Sequence, residues 1–267
     1  MRYQIYERKM AQESICIKDA NHHFNGKNSY FYHQNDGKGR NMGIYSFNNK
    51  KYQRSDSFLL GAILSVSGGF QDAYTYVLRD KVFANAQTGN IVLMSQGLIN
   101  KDWSTSFRYL LPVLAFVLGI VASEQIGHRF KHSKKIHWRQ IVLLIEAFIL
   151  AVVAFVPLTY NVIANVLVSF ACAMQVQAFR KLHGYAYATT MCIGNLRSGT
   201  ESLSIYFRER NKESLIKAFH YYGIIFLFAI GAGVGATISS HYGIKSIISS
   251  AVLLIIGFFV MLDTEEK

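Results

Sequence analysis

The sequence predicts an all-α fold, a polytopic transmembrane helical bundle, and three observations predict it. Of its 267 residues 51% are hydrophobic and only 16% charged, a balance closer to a multi-pass membrane protein than to a soluble domain. The apolar residues gather in long runs that are apolar on every side, whereas a soluble bundle would keep a polar face. Lys and Arg lie between those runs and in the N-terminal part, as they do in cytoplasmic loops. The net charge of +12 is therefore a loop property. It calls for a lipid bilayer as partner and not for nucleic acid.

The elements follow in order. Residues 1–56 are rich in Asn, Tyr, Lys and Gly and hold no apolar run as long as a signal-peptide core, so they read as a disordered cytoplasmic tail. Met42 leaves a second start open, and His22, His23 and His33 read as solvated tail residues. A transmembrane domain is expected over 57–262, with apolar runs at 58–70, 109–123, 141–157, 161–174, 221–238 and 244–262. With their flanks most reach the roughly 20 residues that span about 30 Å of hydrocarbon. A short C-terminal tail, 263–267, closes the chain.

Loop charge sets the orientation. The cluster Arg129, Lys131, Lys134, Lys135 and Arg139 marks its loop as cytoplasmic and suited to anionic lipid headgroups. The uncharged connection 157–161, "PLTYN", belongs outside. Working outward gives six full spans, with both termini cytoplasmic in the plasma membrane and two short polar or broken segments at 83–100 and 187–207. Eight spans are the alternative, but they would move the basic tail and the Arg208 to Lys217 cluster outside.

Those two segments contain "NAQTGN" at 85–90 and "TMCIGN" at 190–195, offset by 105. The same shift carries most apolar runs of the half 57–157 onto those of 162–262. Identities over 57–100 are few: Ala73/Ala178, Gly89/Gly194, Asn90/Asn195 and Leu98/Leu203. Internal duplication is thus expected from segment order, and three full spans per half would make the halves inverted. Paired interrupted segments of this kind point to a transporter-type central site.

The strings "GGFQDAYTYVL" and "VFANAQTGN", then "CAMQVQAFRK" and "ATTMCIGNLRSG", resemble the YoaK-like family of small bacterial multi-pass membrane proteins over about 57–262. The first half has Gly69, Phe70, Asp72, Ala73, Thr88, Gly89 and Asn90 of the pattern; in the second, Ile193 stands where Thr would precede Gly194. The family carries a domain-of-unknown-function label, so the resemblance implies topology and location and no substrate.

Asp72 is the leading site candidate, because a carboxyl facing lipid costs at least about 2.5 kcal/mol and should turn inward. Gln71, Thr88, Gly89, Asn90, Gly194 and Asn195 join it as a substrate or ion pathway, and Gln175 and Gln177 are expected at the inner mouth. Arg197 and Glu201, four apart, are spaced to pair along a helix. Glu146 lies near a basic helix end and is expected to snorkel there. Gly231 and Gly235 form a packing face. His128 and His132 sit in a Lys/Arg-rich loop and suit headgroups better than a metal. No catalytic signature, metal cluster or cofactor motif is present in the sequence, and Cys16, Cys172 and Cys192 form no CxxC pair. The reading is a secondary transporter or exporter of a small solute and not an enzyme; the alternative is a membrane scaffold whose polar residues only pack helices.

Overall fold

The computed structural model describes residues 29–34, 41–46, 56–131, 136–182 and 185–262. The chain divides into two units, Met1–Lys51 and Tyr52–Lys267. In the first, β1 (Ser29–Gln34) pairs antiparallel with β2 (Asn41–Ser46), Ser29 opposite Ser46. The sequence reading placed no regular element there. The strand-forming run Tyr30, Phe31, Tyr32 and the Ile44–Tyr45 pair, on either side of an Asn-Asp-Gly stretch, supply the hairpin signal it passed over.

The second unit is helical. Its helices are α1 (Phe58–Leu78), α2 (Gln87–Ile99), α3 (Trp103–Phe130), α4 (Trp138–Val153), α5 (Asn161–Ala178), α6 (Cys192–Glu209), α7 (Lys212–Tyr242) and α8 (Ile248–Leu262). A two-residue hairpin, β3 (Lys181–Leu182) with β4 (Tyr185–Ala186), interrupts the chain between α5 and α6. Among the described residues, three stretches are long and apolar enough to cross a membrane: Trp103–Phe130, Leu158–Ala178 and Lys212–Leu262, the last holding both α7 and α8. α4, at 16 residues, is short for a span, and α1 carries Gln71 and Asp72 in its second half.

Side-chain contacts fix the direction of each helix. Phe58 lies against Gly223 and Phe70 against Gly235, so α1 and α7 run parallel. Gly119 lies against Phe170, and the Ser123 hydroxyl donates to the Met174 carbonyl at 3.1 Å, so α3 and α5 run parallel. Ser67 meets Ser250 while Leu60 meets Gly257, which makes α8 antiparallel to α1. Gln71 meets Cys172 and Leu64 meets Gln175, so α5 is antiparallel to α1 as well. At one end of α4 Arg139 pairs with Asp56, and at the other the Val153 carbonyl meets Arg79, so α4 follows α1. α2 folds back on α3 through Ser106 and Met94, and α6 on α7 through Thr200 and Tyr222. Relative to α1, the four helices of the first half run with, with, against, with. The second half runs against, against, with, against: the same order, inverted.

Glycines make the two close crossings possible. A methyl group on Gly69 would overlap the Phe228 carbonyl, one on Gly231 the Val66 carbonyl, and one on Gly119 the Phe170 carbonyl. The packing face expected of Gly231 and Gly235 is thus where α7 meets α1. Around the crossings lies a core that includes Leu60, Leu64, Leu143, Leu150, Val168 and Leu254.

Candidate functional site

α1 presents three faces, set by its 3.6-residue period. Val66, Gly69 and Phe70 face α7. Leu60, Ser67 and Gln71 face α8. Gly68 and Asp72 face the extended arm 79–86, which joins α1 to α2.

Because α1 and α2 point the same way, this arm must double back along α1. It turns through Asp80 and Lys81, both left-handed at φ near 60°. Asn85 then reaches the middle of α1: its backbone N–H donates to Asp72 Oδ1 at 2.8 Å, and its side-chain amide donates to the Gly68 carbonyl at 3.3 Å. The arm 179–191, between α5 and α6, comes back from the opposite end. Gln175 Nε2 donates to Thr189 Oγ1 at 2.8 Å and to the Leu64 carbonyl at 3.3 Å. Thr190 lies so close to Gly68 that a methyl group there would overlap its side chain. Gly68 is therefore where two arms from opposite ends meet.

Each arm is locked by the Asn of its motif. Asn90 accepts from the Phe83 N–H at 3.4 Å and donates to the Phe83 carbonyl at 2.7 Å. Asn195 accepts from the Ala188 N–H at 3.2 Å and donates to the Ala188 carbonyl at 2.6 Å. In both cases the clamp closes on the residue seven positions earlier, the same geometry twice. The arms then enter α2 and α6, which begin without a side-chain cap, whereas Ser57, Asp102, His137 and Asn211 cap α1, α3, α4 and α7. The His137 cap accepts through Nδ1, and burial, then the Arg139 charge, holds its pKa below the usual histidine value.

Beside the arms lies a second buried cluster. Gln71 Nε2 reaches Ser67 Oγ at 3.1 Å, Ser250 Oγ at 3.1 Å and Glu146 Oε1 at 3.3 Å, and the Cys172 thiol donates to Gln71 Oε1 at 2.8 Å. Glu146 has 0% exposure. It does not snorkel to the basic helix end, because Gln71 offers a donor in the interior and Arg139 is already paired with Asp56 at 2.8 Å. Buried side-chain oxygens without a partner include Asn85 Oδ1, Gln175 Oε1, Thr190 Oγ1, Ser65 Oγ, Ser169 Oγ and Glu146 Oε2. Native interiors leave few such atoms, and each asks for an explanation.

The predicted site residues separate into two groups. Asp72, Gln71 and Gln175 are buried at or beside the meeting of the arms, and Asn90 and Asn195 are buried against their own arms. Thr88, Gly194, Arg197 and Glu201 are exposed, and Gly89 lies against the Phe83 ring. Arg197 and Glu201 form no ion pair, and Gln177 turns to Glu124 on α3 at 2.9 Å. Among the headgroup residues, Arg129 and Lys131 lie among the described residues and Lys134 and Lys135 lie outside them.

Asn85 and Thr190 are not among the predicted site residues, although both lie in the motifs and share the 105-residue offset. Cys172, in no CxxC pair, joins the Gln71 cluster. Arg79, fully buried, donates to the Tyr74 hydroxyl at 2.8 Å and to the carbonyls of Val153, Val156 and Pro157 at the end of α4. Its signal was weak: an Arg directly after a span, which suggested only a loop.

Comparison with known proteins bears on this arrangement as a whole. The family model described as "Protein of unknown function (DUF1275)" matches residues 60–260, and the chain belongs to that family. It is 29% identical over 184 residues to "UPF0700 transmembrane protein YoaK" of Bacillus subtilis (strain 168), across 64% of this chain and 79% of the relative. No solved structure matches. With its apolar helices, the chain is a membrane protein.

Proposed function

We propose that this member of the DUF1275 family is a secondary transporter or exporter of a small polar solute in the plasma membrane, with its pathway at the meeting of the two arms. The observation that carries the reading is the convergence on Gly68 of Asn85 and Thr190, from opposite ends of the molecule, beside Asp72 and unpartnered buried oxygens. Irregular backbone at membrane depth is stable only where protein or a polar cavity covers it. Transporters place such broken segments at the interface of inverted repeats.

In this reading α1, α3, α4, α5, α7 and α8 are six full spans. Each arm with its short helix enters and leaves on one side, 79–102 from outside and 179–211 from inside. Positive loop charge puts the start of α1, the 129–139 loop and the end of α8 in the cytoplasm, where Arg129, Lys131, Lys134 and Lys135 meet anionic headgroups. Single cysteines in a Cys-free background check this: membrane-impermeant reagent added outside labels Thr159→Cys and leaves Asn211→Cys untouched. Labelling of both from outside would favour eight spans.

The Asn clamps favour the scaffold reading to the extent that both side chains are used on their own arms. A screen of small amines, amino acids, sugars and nucleosides for stabilisation of the purified protein separates the two. The transporter reading expects a solute that stabilises the protein and is taken up by proteoliposomes, with both responses lost in Asp72→Asn while that variant still melts cooperatively. No stabilising solute and no uptake would leave the scaffold; uptake unchanged by Asp72→Asn would keep a transporter but move its pathway away from Asp72.

A further inference from the structure

Glu146 is the buried ionisable group that the arms do not use. It sits on α4 facing Gln71 of α1, with Cys172 of α5 and Ser250 of α8 on the same amide. One oxygen accepts from Gln71 and the other has no partner. The charged and titratable groups around it are few. α1 contributes Asp72, one residue on from Gln71 and turned to the arm; α5 contributes the Cys172 thiol; α8 contributes only the Ser250 hydroxyl. On α4 itself Arg139, two turns away, is paired with Asp56, and beyond the far end of the helix Arg79 is held by the Tyr74 hydroxyl and backbone carbonyls. No described cation pairs with Glu146.

An ionised carboxylate in such a place would have neither counter-ion nor a donor for its second oxygen. A protonated carboxyl needs no counter-ion, its O–H can donate to one neighbour, and an unpartnered neutral oxygen costs far less than an unpartnered charge. The surroundings can serve both forms. Gln71 as placed donates to Glu146, Ser67 and Ser250 and accepts from Cys172. Turned over about its last bond, the same amide would accept an O–H from Glu146 and offer its N–H₂ to the Cys172 sulfur.

We infer that Glu146 is a proton-binding site at the junction of α1, α4, α5 and α8, with the Gln71 amide as the group that responds to its protonation. The ligand is the proton itself, and the site is separate from the one at Gly68. Its use to drive solute movement rests on the transporter reading; proton occupancy does not.

Infrared spectroscopy of the purified protein in nanodiscs tests the inference without any solute. The wild type near neutral pH is expected to show the carbonyl stretch of a protonated carboxylic acid, sensitive to deuterium exchange. The band should vanish in Glu146→Gln and persist in Asp72→Asn. Gln71→Met, which removes the hydrogen-bonding amide at similar volume, should shift the band without abolishing it; this keeps the test decisive if Glu146→Gln fails to fold. Absence of the band in the wild type, or its survival in Glu146→Gln, would overturn the proposal. So would sodium ions that stabilise the wild type but not Glu146→Gln at fixed pH, which would make the site a metal-cation site. A proton band without any transported solute would leave this inference standing and sink the transporter.

Discussion

The two halves of the membrane unit share a scaffold and differ in chemistry. α1 to α4 and α5 to α8 repeat one order with inverted direction, and both hold a returning arm with an Asn clamp seven residues on. Among the described residues, the first half carries both buried carboxyls, Asp72 and Glu146. The clamps and glycine crossings are what both halves need to fold. The carboxyls lie in one half alone among the described residues, so the shared architecture does not require them.

That division can be broken most sharply at the crossings. Gly231→Leu and Gly119→Leu push a side chain into a neighbouring carbonyl, one at each crossing. Each is expected to cost about 3 kcal/mol or more and to abolish monodisperse, cooperatively melting protein in detergent. Gly233→Leu, with nothing near it, should behave as wild type. If only one of the two crossings proves sensitive, the halves are not equivalent supports.

A smaller effect sharpens the same comparison. Asn90→Ala and Asn195→Ala each leave an arm's N–H and carbonyl without their side-chain partner, a loss of about 1–3 kcal/mol. Thermal unfolding should fall by similar amounts in the two variants. A large loss in one and none in the other would mean that a single arm bears on stability.

The six apolar runs, the paired interruptions and the inward turn of Asp72 were legible in the sequence because each follows from hydropathy or from the cost of a charge in lipid. The pairing of faces was not. A helix apolar on all sides does not say which neighbour it meets, so nothing signalled that Gln71 would draw Glu146 inward. The offset also misled. From helix start to helix start it is 105 between α2 and α6 and 103 between α1 and α5, while the ends of α1 and α5 lie 100 apart, because the second arm is longer and contains β3 and β4. The course of the arms was not legible, since their mixed residues, such as Val82, Phe83 and Asn85 beside Arg79, Asp80 and Lys81, carry neither a helical nor a strand period.

Arg79 bears on how such a machine could move. One guanidinium fastens the end of α1 to the last carbonyls of α4 and, at 3.0 Å, to Asn161 at the start of α5; the Tyr74 hydroxyl it holds donates in turn to the Ile244 carbonyl just past α7. Pulling these ends apart would strand a buried cation, so they form a stiff plate. At the opposite ends the equivalent tie is the Arg139–Asp56 pair, its side chains 14% and 16% exposed, with the guanidinium also over the Trp138 and Phe179 rings. The bundle is thus tied at both rims, by a fully buried cation held on carbonyls at one and by an ion pair at the edge of water at the other.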